Sequence, residues 1–317
     1  MDKKQKSILV IGASGGVGGA IAAKLAGRGW RVIGLSRVER PAQDGIEWRI
    51  GDAMSADDLK QAAAGVDAVF YGANPPKYQN WDKVCLPMVK NAVAAAEAAG
   101  ARLVFPGTVY NFGPDAGELW AEDAPQHPLT RKGAIRVAME AELEAFAKRG
   151  GRVLIVRAGD YFGSYVANSW FQGAMIKPGR EVASITYPGN PSIGHDWAYL
   201  PDVAETFAQL LDREEKLGAF ERFHFQGHWM TGDEMVAALR RAAQKPAAPV
   251  RIFPWWAIKL ASPFVGFCRE VLEMRYLWQK PLRLDNRRLT AFLGSEPHTP
   301  LEEALRQSLV RVGCLAA

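Results

Sequence analysis

Cysteine is scarce in this sequence, with three residues in a chain of 317. Cys85, Cys268 and Cys314 lie far apart and are odd in number, so they indicate neither a disulfide framework nor a cysteine-based metal site. This usage fits a reducing compartment, and we expect a cytoplasmic protein. His224 and His228 are four residues apart, but they fall on a predicted strand and turn with no convergent third ligand. The sequence therefore predicts no metal site.

Long uninterrupted apolar runs are also missing. The apolar run that follows the basic N-terminus enters a glycine loop instead of a cleavage site, which favours a buried strand over a signal peptide. The most apolar later stretch, "FPWWAIKLASPFVGFC" at residues 253–268, is interrupted by Pro254, Lys259 and Pro263. It is shorter than the roughly 20 residues that span a bilayer. We expect no membrane partner, and a helix here that covers a pocket or forms a subunit contact.

An excess of one charge sign is absent as well. The net charge of +5 is modest for this length, and the basic residues form no long run. The densest basic patch, "RLDNRRL" at residues 283–289, is typical of a solvated helix face. The charge is compatible with anionic ligands but gives no nucleic-acid footprint, so no nucleic-acid partner is expected.

The first half of the chain alternates regularly between two patterns. Short apolar runs rich in Val and Ile predict buried strands at residues 7–13, 31–36, 67–73, 102–107 and 152–159. Ala-rich segments with helical spacing separate them at residues 18–29, 55–65, 89–100 and 134–150. Continuously apolar strands that alternate with helices are typical of a parallel sheet covered on both faces. The pattern predicts an α/β protein with a Rossmann-type doubly wound parallel sheet.

The rhythm changes after about residue 160, where aromatic residues, prolines and glycines increase. Residues 202–213 still predict a helix, residues 222–227 a strand, and residues 231–244 a helix capped by Thr231. We predict an NAD(P)-binding Rossmann domain over residues 1–160, with later returns to it near 195–227. Residues 161–317 are expected to form mainly a smaller substrate-binding or lid region.

A glycine-rich loop follows the first predicted strand. The sequence "VIGASGGVGGAIA" places Gly12, Gly15 and Gly18 between this strand and the first helix, with the spacing G-x-x-G-x-x-G. Glycine lets the backbone turn tightly and approach a pyrophosphate, which the free N–H groups and positive dipole end of the helix can bind. The predicted cofactor contacts in this loop are Gly12, Ser14, Gly15, Gly16, Val17 and Gly18.

The end of the second strand indicates which dinucleotide binds. A carboxylate there would accept hydrogen bonds from the adenosine 2′-hydroxyl, but this chain has Ser36 and Arg37. Arg37 can pair with a 2′-phosphate, so NADP(H) is favoured over NAD(H). After the third strand, Asp52 and Ala53 are expected at the adenine edge, although Asp52 could instead be a helix-entry residue. The fourth strand is predicted to end near the cofactor at Gly72, Ala73 and Asn74.

Together these motifs resemble the extended short-chain dehydrogenase/reductase superfamily, in its epimerase/dehydratase-like branch. The resemblance rests on the glycine motif, on "GDA" after the third strand and on "PGTVYNFGP" after the fifth. It continues through "IVRAGDYFG", "HDWAYLPDVAETF" and "TPLEEALRQSL", so it covers most of the chain. The resemblance implies an NAD(P)-dependent enzyme that acts on a small carbonyl or hydroxyl compound.

The superfamily resemblance also implies an active-site Ser or Thr after the fifth strand and a Tyr-x-x-x-Lys pair at the start of the next long helix. Thr108 matches the first position. The family's usual separation between this Ser or Thr and the tyrosine leads from Thr108 to Lys132. Glu140 matches an acidic residue common in that helix and gives the same register. Lys132 thus stands at the tyrosine position and Arg136 at the lysine position. The chain thus departs from the family where its proton donor would stand.

Two interpretations of this departure stay open. Lys132 could act as a proton donor or as an electrostatic clamp on a developing oxyanion, while Arg136 binds the nicotinamide ribose. Alternatively, the tyrosine chemistry is lost, and Lys132 and Arg136 are a basic helix start that binds cofactor phosphate or solvent. The second interpretation leaves a catalytically silent NADP(H)-binding sensor or regulatory protein.

Further candidates lie at the ends of other strands. Tyr110 shares a strand face with Thr108 if the strand continues, although a packed aromatic role is favoured. Asp160 and Tyr161 follow the sixth strand at its carboxyl end, where ligands of open α/β sheets gather, and are predicted substrate contacts. Trp170 could form part of an apolar substrate pocket or of the core.

The resemblance implies an assembly as well. Residues 82–99 and 132–149 correspond to the helix pair through which this superfamily commonly dimerises, and both are rich in alanine, which permits close approach. We therefore expect a homodimer. The other expected partner is a small-molecule substrate.

Overall fold

The structure is a computed structural model that describes residues 5–42, 44–75, 80–163 and 169–316. Its strands are β1 Ser7–Ile11, β2 Arg31–Ser36, β3 Ile46–Ile50, β4 Ala68–Tyr71, β5 Arg102–Gly107, β6 Arg152–Ala158, β7 Asp160–Phe162, β8 Ile185–Tyr187, β9 Gly194–Tyr199, β10 Phe220–Phe225, β11 His228–Thr231 and β12 Val250–Ile252. Its α-helices are α1 Gly16–Ala26, α2 Ala56–Ala62, α3 Trp81–Ala99, α4 Arg131–Lys148, α5 Leu200–Asp212, α6 Gly232–Ala242, α7 Trp255–Ala261, α8 Gly266–Leu272, α9 Arg287–Leu293 and α10 Leu301–Arg311. Two 3₁₀ helices, Glu214–Lys216 and Glu273–Trp278, and a π-helical turn, Phe171–Met175, complete the described elements.

Seven strands form the central sheet in the order β10-β6-β5-β4-β1-β2-β3, and every neighbouring pair is parallel. Successive residues of β1 point to opposite faces. Ile8 and Val10 join the core cluster of α1 and α5, whereas Leu9 and Ile11 join that of α2, α3 and α4. Because both faces are covered, the central strands β1 and β4 are almost entirely apolar, and the predicted doubly wound α/β sheet is confirmed.

The later part of the chain builds two small sheets. One has the order β11-β9-β7, with β11 antiparallel and β7 parallel to β9, and the other pairs β12 with β8. Trp197, Tyr199 and Trp278 are buried in the core cluster of this region. Helix α6 begins with the expected cap, in which Thr231 and Glu234 form a reciprocal capping box.

Three details differ from the sequence-based expectation. Strand β4 ends at Tyr71, because Gly72, Ala73 and Asn74 leave the sheet as a loop beside the glycine turn. Residues 160–162 do not trail from β6 but form a strand of their own, β7, in a second sheet. The strand predicted at 222–227 is β10, residues 220–225, and it lies at the edge of the central sheet.

The apolar stretch at residues 253–268 forms the two short helices α7 and α8. None of the residues of α7 is fully buried, although its first residue, Trp255, packs against the core cluster of the later region. Within the part of the chain that is described, no helix combines the length and the apolar character needed to cross a membrane.

Candidate functional site

The glycine loop lies at the carboxyl edge of the central sheet, against the end of β4. Gly12 has a φ of +93°, and a Cβ atom there would lie 2.9 Å from the backbone nitrogen of Ala73. A Cβ atom on Gly18 would lie 2.3 Å from the carbonyl oxygen of Gly12. Only glycine therefore permits this contact between the loop, α1 and β4.

The start of α1 is open to a ligand. Ser14 and Gly15 are exposed, Gly16 and Val17 are half-buried, and the Gly15 N–H donates to the carbonyl of Gly12 at 2.9 Å. Because Gly16, Val17 and Gly18 are the first residues of the helix, their N–H groups have no acceptor within it. This arrangement suits the binding of a phosphate.

Two arginines flank the end of β2. Arg37 is exposed and forms no ion pair with any residue that the structure describes. Arg40 donates through Nε to Ser36 Oγ at 3.1 Å, and its guanidinium lies 5.1 Å from the centre of the Trp48 ring. Sequence reasoning missed Arg40, although its spacing from Ser36 in "SRVER" was visible.

Asp52 and Ala53 are held in the turn before α2. The Asp52 carboxylate accepts the N–H of Met54 at 2.9 Å, and the carbonyl of Ala53 accepts a hydrogen bond from Asn91 at 3.1 Å. The carboxylate thus stabilises its own turn, which is the helix-entry role considered for Asp52. A contact with adenine stays a prediction.

The side chain of Arg136, in α4, reaches the loop that follows β4. It is buried, and its Nη2 donates to Asn74 Oδ1 at 2.9 Å, so two residues predicted to bind the cofactor meet here. Its guanidinium lies 5.0 Å from the ring of Trp81 and 5.6 Å from that of Phe105. Its Nε has no acceptor among the described residues, so one buried donor is available for a ligand.

Thr108 and Tyr110 follow β5 and reach the start of α4. Thr108 Oγ1 lies 3.3 Å from Asn111 Oδ1 and accepts the N–H of Tyr110 at 3.4 Å. A Cβ atom on Gly133 would lie 2.3 Å from the carbonyl oxygen of Tyr110. The absence of a side chain at Gly133 therefore lets the first turn of α4 contact the loop that carries Thr108.

Lys132 is completely buried and contacts a segment that is distant in sequence. We name residues 266–278, which comprise α8 and the second 3₁₀ helix, the covering segment. The Lys132 ammonium forms an ion pair with the carboxylate of Glu270, donates to the Glu270 carbonyl at 3.2 Å, and lies 3.3 Å from Glu273 Oε2. Arg131 also binds Glu270, at 2.6 Å. No local pattern predicts these partners, because Lys132 and Glu270 are 138 positions apart.

Tyr276, also in the covering segment, brings a hydroxyl group to the same region. It lies 3.5 Å from the carbonyl oxygen of Tyr110 and 3.4 Å from that of Phe112. Burial, together with the charges of Asp160 and Glu273, raises the pKa of Tyr276 well above its usual range, so this hydroxyl keeps its proton. Tyr276 lines a groove of about 510 Å³ that also contacts Leu129, Thr130, Arg131, Lys259 and Leu272.

The predicted substrate residues occupy two environments. The Asp160 carboxylate lies within hydrogen-bond distance of His195 Nε2, at 2.7 Å. The His195 ring stacks on Trp278 with centroids 4.1 Å apart. Trp170 packs edge-on against Trp278 at 5.4 Å, within an aromatic cluster. Trp170 thus contributes to packing, while Asp160 contacts a buried histidine.

Tyr161 lies closer to the predicted cofactor residues. Its hydroxyl is buried without a hydrogen-bond partner among the described residues. Burial raises the pKa of Tyr161 to about 12, whereas the nearby positive charge of Arg136 lowers it. A buried hydroxyl that has no partner among the described residues is a second group able to meet a ligand.

Glu140 anchors α4 to β6. It accepts two hydrogen bonds from the fully buried Arg157, at 3.0 and 2.5 Å, and lies 3.4 Å from Arg222 Nε. Arg157 also contacts His224 at 3.2 Å, and burial together with Arg157 lowers the pKa of His224 to about 3. The buried carboxylate is thus part of an ion-pair network that fixes the register of α4 against the sheet.

Comparison with known proteins gives one family and a common fold. No curated protein matches this chain significantly. Among solved structures, a candidate epimerase from Burkholderia cenocepacia J2315 is 21% identical, with a TM-score of 0.76 over 99% of this chain and 100% of that one. The UDP-glucose 4-epimerase of Thermotoga maritima, solved with UDP-glucose, is 17% identical, with a TM-score of 0.74 over 96% and 98%. That of Bifidobacterium longum, solved with NAD⁺ and UDP, is 15% identical, with a TM-score of 0.75 over 96% and 98%.

At these identities the structures show a shared fold. The family assignment rests on a family model that matches residues 8–224, from β1 to β10, and therefore spans the glycine loop, the Thr108 loop and α4. The chain belongs to the NAD-dependent epimerase/dehydratase family, within the extended short-chain dehydrogenase/reductase superfamily.

Proposed function

We propose that the chain binds NADP(H) and uses it to oxidise or reduce a small carbonyl or hydroxyl compound, with epimerisation and dehydration as the related reactions of its family. The observation that carries this proposal is the cradle at the switch point of the sheet. There Gly12, in the loop that leads to the open N-terminus of α1, lies against Gly72 and Ala73, and Arg136 donates a hydrogen bond to Asn74. The backbone binds the pyrophosphate, and Arg136 binds the ribose.

The preference for NADP(H) rests on Arg37 and Arg40. Arg37 is exposed directly after β2, where a 2′-phosphate would bind, and Arg40 is held at the same strand end by its hydrogen bond to Ser36 Oγ. The Bifidobacterium longum structure was solved with NAD⁺, whereas the Thermotoga maritima structure was solved with UDP-glucose. The proposed preference for NADP(H) therefore rests on Arg37 and Arg40 of this chain and not on these similar structures.

Calorimetric titration with both dinucleotides tests this preference. Arg37→Ala and Arg40→Ala should each weaken NADP⁺ binding by about tenfold or more, since hydrogen bonds to charged groups contribute about 1.5–3 kcal/mol. NAD⁺ binding should change little. Arg28→Ala is the matched control, because Arg28 lies at the far end of α1 and pairs with Glu205. Tighter binding of NAD⁺ than of NADP⁺ by the unsubstituted chain would refute the preference.

Lys132 is the proposed proton donor or oxyanion clamp, with Glu270 as its partner. Lys132→Ala should leave cofactor affinity nearly intact and lower turnover by a factor on the order of 100 or more. Arg136→Ala should instead weaken cofactor binding. Lys132→Ala removes the buried one of the two cations that pair with Glu270 and Glu273. A second variant that combines Lys132→Met with Glu270→Gln therefore removes one charge of each sign. A folded double variant without turnover supports the role of Lys132.

Normal turnover by Lys132→Ala would move the proton role to Tyr110, Tyr161, Tyr276 or water. Single Tyr→Phe variants at the three tyrosines then separate these sources, because each keeps the ring and removes only the hydroxyl. A drop in the rate constant with an unchanged Michaelis constant would identify the donor.

A catalytically silent NADP(H)-binding sensor or regulatory protein is the second candidate. It is favoured by the ion pairs of Lys132, whose ammonium contacts the covering segment through two glutamates. Tight NADP(H) binding without cofactor oxidation in a broad screen of carbonyl compounds would support the sensor and count against the enzyme.

A further inference from the structure

Residues 250–267 form the most apolar exposed surface of the described chain, and we name them the tip. Seven of the thirteen exposed large hydrophobic residues lie in these eighteen positions, so the exposure is concentrated and not scattered. Phe264 is 89% exposed, Ile252 79%, Trp256 72% and Leu260 69%. Trp256 and Leu260 are four residues apart in α7 and therefore share one face of it. Concentrated exposure of this kind marks a docking surface.

The charges around the tip have one sign. Arg251, Lys259 and Arg269 are exposed, and none of them forms an ion pair with a described residue. The sequence has no aspartate or glutamate between residues 246 and 269. The next two acids, Glu270 and Glu273, face the start of α4 instead. The exposed surface thus combines large apolar side chains with cations that form no ion pair among the described residues.

We propose that the tip docks on the surface of a bilayer that contains anionic phospholipids. The aromatic and aliphatic side chains enter the interfacial region, and the three cations pair with lipid phosphates. The tip is too short to cross a bilayer, so the attachment is peripheral. This assignment departs from the expectation that the stretch covers a pocket or forms a subunit contact, and from the expectation of no membrane partner.

Charge argues against a second copy of the chain as the occupant. A twofold contact through the tip would bring together two surfaces that each carry Arg251 and Lys259, without acids in the tip to neutralise them. An anionic bilayer provides the missing counter-charge over an extended surface. Since Lys259 also lines the 510 Å³ groove, docking would place the mouth of that groove at the lipid surface.

Vesicle flotation with the full chain tests the docking directly. We expect binding to vesicles of phosphatidylcholine with phosphatidylserine, much weaker binding to phosphatidylcholine alone, and loss of binding as salt increases. The double variant Trp256→Ser with Phe264→Ser should lower partitioning by at least about tenfold, since it removes two large inserted side chains. Lys259→Gln and Arg269→Gln should each lower it about fivefold. These side chains are exposed, so the variants should melt like the unsubstituted chain.

Ile50→Ser is the matched control, because Ile50 is 68% exposed but lies at the end of β3, outside the tip. It should bind vesicles normally. Equal loss in Ile50→Ser and in the tip variant, or no preference for anionic vesicles, would overturn the proposal. A second result would also overturn the proposal: by light scattering, the unsubstituted chain is a dimer and the tip variant is a monomer. That result would assign the tip to a subunit contact.

Discussion

Gly18→Ala should abolish most of the dinucleotide affinity while leaving the chain folded. The new Cβ atom would lie 2.3 Å from the carbonyl oxygen of Gly12, whereas ordinary van der Waals contact begins at 3.4 Å, so the loop and α1 must separate by about 1.1 Å. A hydrogen bond of about 2.9 Å from the cradle to a phosphate would lengthen to about 4 Å and be lost. Each such bond to a charged group contributes about 1.5–3 kcal/mol, so losing one weakens binding by about tenfold to a hundredfold.

Gly27→Ala is the control at the other end of the same helix. Gly27 has helical angles, with φ of −62° and ψ of −16°, and its added Cβ atom would meet only an ordinary contact at 3.4 Å. Titration calorimetry with NADP⁺ and thermal melting of both variants compare the two positions. Gly27→Ala should bind normally. If Gly18→Ala bound within about twofold of the unsubstituted chain, the pyrophosphate would not lie in this cradle, and the reasoning from the glycine contacts would be wrong.

Three further outcomes are expected. Glu140→Gln should lower the free energy of unfolding by about 3–5 kcal/mol, because it leaves the fully buried Arg157 without its carboxylate. Glu144→Gln, on the exposed side of α4, should lower it by less than about 1 kcal/mol. Urea titration compares the two variants, and equal losses would contradict the network role of Glu140. Stability should fall as the pH drops from about 6.5 toward 3, because His224 stays neutral in the folded chain, with a pKa of about 3, while the unfolded chain binds a proton; a urea midpoint that stays constant over this range would contradict it. Light scattering should give the mass of a homodimer formed through α3 and α4, and a monomer at micromolar concentration would count against that pairing.

The sequence was sufficient for features that depend on neighbouring residues. The alternation of apolar strands with Ala-rich helices predicts the parallel sheet, since the fold follows from periodicity and short connections. The glycine spacing predicts the loop at the end of β1, because only glycine tolerates the φ of Gly12 and the contact at Gly18. The cap at Thr231 is local for the same reason.

Contacts between distant segments could not be predicted in this way. Lys132 meets Glu270 and Glu273 only because the covering segment folds back over the start of α4, and no spacing in the sequence encodes that return. The role of Arg40 could not be predicted either, because it depends on a side chain that folds back to Ser36, four positions earlier. The chemistry of Lys132 depends on the covering segment, and this is why the sequence left two interpretations open.

The position of β10 has a consequence for the synthesis of the chain. Strand β6 ends at Ala158, but its partner β10 begins only at Phe220. The buried Arg102 depends on the segment just before β10, because its guanidinium binds Glu214. A nascent chain that has left the ribosome only as far as residue 210 therefore carries an open apolar strand edge, and its Arg102 still lacks the carboxylate of Glu214. Such an edge is prone to aggregation, so the nucleotide-binding half is exposed to this risk until β10 has been synthesised and has paired with β6.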